Sequence, residues 1–142
     1  MQAEIADNKA VVRRWIDVGF NEHDPRIVDE LFGRSFAING HVMTPEDLKQ
    51  SMRGRLTAFP DLHVTIDELV ADGDNVAIWY TAEGTHSAEF EGIAATGRHV
   101  RWSGADVFRV EGGRIVQGRF VDDSLGLMRQ LGATLVGPAT PK

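Results

Sequence analysis

Between Arg98 and Gly132 the chain carries residue types that acid/base chemistry needs, among them the carboxylates Asp106 and Asp123, the cation Arg119 and the aromatic side chains Trp102 and Phe108. A carboxylate can take a proton from the carbon beside a carbonyl and return one to the product oxygen if an apolar surrounding draws its pKa toward neutrality. Two β-branched and aromatic runs flank Glu111-Gly112-Gly113-Arg114, and paired glycines accept the positive φ of a tight primed turn. With Gly112 and Gly113 at its centre, counting outward sets Val110 against Ile115, Phe108 against Gln117, Asp106 against Arg119 and Trp102 against Asp123. Alternation puts these pairs on one sheet face. Apolar walls with convergent charge read as a pocket lining. A one-residue bulge near the turn would slide one strand and change the set.

Each residue also has a plainer role. Asp123 stands where it can cap a helix beginning at Ser124. Arg119 can lower the pKa of Asp123, which helps a base and hinders an acid, or it can pair across the strands with Asp106. It can also clamp a substrate carboxylate or steady an enolate. His86, in Gly84-Thr85-His86 at a strand end, can shuttle protons near neutral pH or serve as a hydrogen-bonded structural residue. The five histidines have no ligand spacing and there is no cysteine, so no metal site is expected. There is also no nucleophile elbow and no phosphate-cradling loop.

The elements that must hold these residues begin with a helix over about 6–21. Its stripes, Val11/Trp15/Val18 and Val12/Ile16/Phe20, suit a helix lying across a sheet. Trp15 can serve the core or touch a ligand. A short helix follows, with Asp24 as cap, Pro25 in its first turn and Gly33 as a left-handed exit. A brief strand over 35–39 closes at Asn39-Gly40. Thr44, Pro45 and Asp47 open a third helix, with Leu48, Met52 and Leu56 on its buried face, Arg53 and Arg55 on the solvated side, and Phe59-Pro60 as its stop. After Pro60 the period changes to two. Val64, Ile66 and Val70 alternate up to Asp72-Gly73-Asp74, and Val76, Ile78, Tyr80 and Ala82 alternate on the way back. An irregular connection over 89–97 leads into the organising hairpin.

Three helices followed by long antiparallel strands predict an α+β domain. The N-terminal helices pack on a strongly curved antiparallel or mixed sheet that forms a cone with an internal pocket. The chain has 142 residues, 42% of them apolar and 25% charged, which suits one domain over residues 1–136 with a loose tail over 137–142. A net charge of −6 argues against nucleic acid as a partner. Neither a membrane span nor the basic-then-apolar order of a signal peptide is present, so a cytoplasmic protein without membrane partners is expected.

Read in order, Phe59-Pro60-Asp61-Leu62-His63-Val64, Asp72-Gly73-Asp74, Gly84-Thr85-His86, Thr96-Gly97-Arg98, Phe108-Arg109-Val110, Gly112-Gly113-Arg114-Ile115, and Asp123 ahead of 125–132 resemble the SnoaL-like polyketide cyclase family, within the nuclear-transport-factor-two-like and ketosteroid-isomerase-like superfamily. The resemblance covers almost the whole chain. It implies a helix-capped cone, usually dimerised through the outer face of the sheet, that acts on a small molecule without metal or organic cofactor. The cyclases close a ring by intramolecular aldol condensation with a carboxylate as acid/base, and Asp123 stands at that position. Asn39 resembles a pocket residue of the family. Gly118-Arg119 stands where relatives commonly have His-Trp. The family also contains hydroxylases, epoxide-opening enzymes and proteins without known activity.

Overall fold

A computed structural model describes residues 2–138, with side chains from Asp7 onward. The tail expected over 137–142 lies outside the described residues from position 139. The elements are α1 (Gln2–Arg14), continued by a π-helical segment (Trp15–Asn21), then α2 (Ile27–Leu31), β1 (Phe32–Ile38), β2 (His41–Met43), α3 (Pro45–Ala58), β3 (His63–Asp72), β4 (Asn75–Thr85), β5 (His99–Glu111), β6 (Arg114–Asp122) and α4 (Ser124–Gln130). The six strands form one mixed sheet in the order β2-β1-β6-β5-β4-β3. β1 runs parallel to β6 and every other pairing is antiparallel. The architecture is the expected α+β arrangement, helices against one face of a curved, unclosed sheet.

Local chemistry explains most boundaries. Asp47 N–H donates to Thr44 Oγ1 and Thr44 N–H donates to Asp47 Oδ2, so the capping box that opens α3 is complete. Gly112 and Gly113 both have positive φ, as the tight β5–β6 turn requires. Along β4 and β5 every even-numbered residue from Val76 to Ala82 and from Val100 to Val110 is buried, so one sheet face carries the core.

Two expectations change. The short helix begins two residues after Pro25, with Arg26 at its N-cap, while Asp24 accepts the Arg26 N–H. Gly33 lies inside β1, which starts as soon as α2 ends. The first helix widens into π turns from Trp15. Trp15 and Phe20, five residues apart, share a face with ring centroids 5.1 Å apart. Asn21 then ties this end to the sheet, donating to Val64 O and accepting from Val64 N–H.

Candidate active site

The register of the last hairpin decides which side chains face inward. Val110 lies against Ile115 as the turn predicts, but the next pair is Arg109 with Gln117, because Val116 is an extra residue in β6. From there the strands run Phe108–Gly118, Val107–Arg119, Asp106–Phe120 and Gly104–Asp122. The inward set on β6 therefore changes from odd to even positions. Gly118, Phe120 and Asp122 face the helices. Arg119 projects from the outer face opposite Val107 and is exposed, so the expected Asp106–Arg119 pair does not form and Arg119 does not reach the pocket.

Pairing then lays the concave face out in rows. Val64, Ala82 and Trp102 form one row, Ile66, Tyr80, Gly104 and Asp122 the next, and Leu69, Ile78, Asp106 and Phe120 a third. The π-helical segment and α3 roof these rows and leave a cavity of about 400 Å³. Trp15, Ile16 and Phe20 line it from the first helix, Leu48, Ser51, Met52 and Arg55 from α3, and Tyr80, Trp102, Asp106, Phe120 and Asp122 from the sheet.

The central polar group is Asp106, 7% exposed, with Oδ1 buried and lacking a hydrogen-bond partner among the described residues. An ionised carboxylate without partners is expensive to bury, so this position favours the protonated form. Burial first, then the neighbouring Asp122 carboxylate, push its pKa up to about 7, and the Arg55 cation offsets part of the rise. Burial, followed by Asp106 and Asp122, also raises the Tyr80 phenol above its ordinary value, so it stays a neutral donor. Tyr80 reaches this position across a glycine. A Cβ at Gly104 would lie 2.3 Å from the Tyr80 ring and hydroxyl. A Cβ at Gly118 would likewise lie 2.6 Å from the Phe120 ring. Asp122 accepts from the Ser124 hydroxyl, and its Oδ2 is 4.0 Å from Arg55 Nη1.

Of the residues picked from the sequence, the cavity brings together Trp15, Asn39, Trp102 and Asp106. Asn39 sits at positive φ in the β1–β2 turn, and its amide is engaged on both sides by the Phe120 backbone, at 3.0 and 2.8 Å. It holds the wall more than it offers a free donor. Phe108 is fully buried beneath the floor and packs on Phe120 at 5.3 Å. Asp123 is exposed and caps α4, accepting from Gly126 N–H at 2.9 Å. It does not line the cavity. His86 is fully buried beside Phe59, its Nδ1 accepting from Thr96 N–H at 3.2 Å, and it too stands outside the cavity lining. Its Nε2 has no partner among the described residues. The residues missed are Tyr80, Arg55, Phe120 and Asp122. Tyr80 was already on the alternating face of β4, and a phenol among aliphatic neighbours was a usable signal.

A model of the SnoaL-like polyketide cyclase family matches residues 9–131. The chain belongs to the SnoaL-like polyketide cyclase family. Among solved structures, this member is similar to TsrD from Streptomyces laurentii, at 30% identity over 91% of this chain and 97% of that one, with a TM-score of 0.83. It is similar to AclR, a candidate hydroxylase from Streptomyces galilaeus, at 26% identity over 90% and 97%, with a TM-score of 0.80. It is also similar to wild-type IdmH, a candidate polyketide cyclase from Streptomyces antibioticus, at 28% identity over 89% and 99%, with a TM-score of 0.78. No match was found among curated proteins.

Proposed function

We propose that this family member is an acid/base enzyme of the cyclase or isomerase type, acting on an apolar, carbonyl-bearing small molecule, with Asp106 as the group that transfers the proton. The observation that carries this reading is a buried carboxyl, its Oδ1 without a partner among the described residues, on an aromatic-lined cavity and with its pKa pushed up to about 7. As a carboxylate, Asp106 accepts the proton from the carbon beside the carbonyl. As an acid, it returns it to the new alkoxide or to another carbon. The Tyr80 hydroxyl, in the adjacent row, supplies a neutral donor for developing charge on oxygen. Asp122 keeps Asp106 from being too weak a base. These steps use side chains of this chain and no cofactor.

The test is exchange of the α-protons of a flat ketone, 2-tetralone, in deuterated water, followed by proton NMR. Exchange catalysed by the wild type and by Asp123→Asn, and lost in Asp106→Asn, is the expected result. Equal exchange in wild type and Asp106→Asn would overturn the assignment. A second reading is epoxide opening, in which Asp122 and Tyr80, both on the cavity lining, orient a water molecule whose oxygen bonds to one epoxide carbon as that carbon's bond to the ring oxygen breaks, the water's proton passing to the released alkoxide. Labelled solvent oxygen appearing in the product would favour this reading over ring closure.

The outer face of the sheet supports pairing of two copies. Trp79, Ala105 and Val121 form one outward row, and Val107 lies in the next, with Trp79 51% exposed. A homodimer through this face is part of the same proposal.

A further inference from the structure

Helix α3 turns the residues Leu48, Ser51, Met52 and Arg55 toward the cavity, spaced as one stripe of an α-helix. Among the described residues that line the cavity, Arg55 is the only lysine or arginine. Its guanidinium lies over the Phe90 ring, with Cζ 5.9 Å from the ring centre, and its side chain is 37% exposed. The head group is thus held in place from one side and open on another.

What distinguishes Arg55 is an unused fork. The Arg101–Glu83 and Arg14–Glu30 pairs close to 2.9 Å, as charge-assisted hydrogen bonds do. Arg55 stops 4.0 Å short of Asp122, whose carboxylate already accepts from Ser124. That is the longest ion pair among the described residues. No side-chain hydrogen bond of Arg55 to protein is present among them either. A guanidinium carries five donors in a plane that matches a carboxylate edge to edge, and here it lines the cavity with no hydrogen bond to another described residue.

We propose that Arg55 anchors an acidic group on the substrate, so that the cavity takes a cyclic keto acid whose carboxylate sits at Arg55 and whose reacting carbon lies against Asp106. The inference rests on the acid/base reading and narrows its substrate class. An arriving anion adds a charge that only Arg55, among the lining residues, can meet. Hydrophobic walls from Trp15, Phe20, Trp102 and Phe120 accept the ring system and leave recognition of its acidic end to the guanidinium.

The experiment uses the full chain and two probes of the same shape, 2-naphthoate and methyl 2-naphthoate, titrated by calorimetry. The acid is expected to bind wild type at least about tenfold more tightly than the ester, the minimum for a charge-assisted hydrogen bond. In Arg55→Gln that preference disappears or reverses, because Asp122 then faces the anion alone, while ester binding is unchanged and shows that the cavity is intact. Arg55→Lys restores part of the preference. Equal affinity of the two probes for wild type, or a preference that survives Arg55→Gln, overturns the anchor and leaves the acid/base reading standing. Failure of both probes to bind wild type overturns the anchor together with the small-molecule cavity on which it rests.

Discussion

Asp106 titrates near 7 in the folded chain and close to 4 when unfolded, so between those values the native state holds a proton that the unfolded chain has released. Stability is greatest below the unfolded pKa and falls as pH rises through the folded one, by on the order of 4 kcal/mol if the whole shift is expressed. Asp106→Asn, which cannot ionise, is expected to remove that fall, so its advantage over wild type in urea unfolding grows between about pH 4 and pH 8. A wild type and variant with parallel stability profiles would contradict it. Gly104 belongs to the same scale, because the Tyr80 ring occupies the place of its missing side chain. Gly104→Ala is expected to cost about 1–3 kcal/mol in denaturant unfolding by overpacking, and to displace the Tyr80 hydroxyl. At this scale the sequence was informative about Asp106 and Trp102, whose alternation along β5 is local. Asp123 and His86 have types that suit chemistry, and the structure sets them outside the cavity lining, as a helix cap and as a buried acceptor for Thr96 N–H.

The hairpin shows why elements are easier to read than their registers. Its turn followed from Gly112-Gly113, and its first pair, Val110–Ile115, followed from the turn. One extra residue, Val116, then exchanged the faces of everything beyond it, which carried Arg119 out and brought Phe120 and Asp122 in. The alternation Gly118, Phe120, Asp122 against Arg119, Val121, Asp123 contained a usable hint, since an aromatic side chain suits the inner face better than an arginine. α3 offers a similar lesson. Leu48, Met52 and Arg55 are one stripe by helical spacing, and the charge of Arg55 points to a solvated face, whereas the structure sets it on the cavity lining. The cap assignment is testable at this scale. Asp123→Ala is expected to lower stability by about 1 kcal/mol, the usual cost of a lost N-cap, and to leave the Asp106 titration where it is. A loss of proton exchange activity in that variant without a loss of stability would restore Asp123 to the site.

The whole molecule was the most legible scale. Helix stripes, the change of period after Pro60 and the glycine-marked turns are each local signals, and together they predict helices laid on a curved sheet. Not legible were the short strand β2 and the parallel pairing of β1 with β6, because that contact joins segments far apart in sequence and no local motif announces it. Pairing of two copies through the outer face belongs to this scale as well. Trp79→Glu is expected to convert a dimer to a monomer in sedimentation experiments without altering the cavity, which lies on the opposite face. A wild type that sediments as a monomer would contradict the dimer.

The protonation of the Asp106 carboxyl on the cavity floor near neutral pH can be measured without knowing the substrate. The measurement is carbon-13 NMR of the aspartate carboxyl groups as a function of pH, with Asp106 assigned by its absence in Asp106→Asn. A midpoint of about 7 is expected in wild type, moving down in Asp122→Asn, where a repelling charge is gone, and up in Arg55→Gln, where a favourable one is gone. A wild-type midpoint in the ordinary range, about 4, would remove Asp106 from the proton-transfer role.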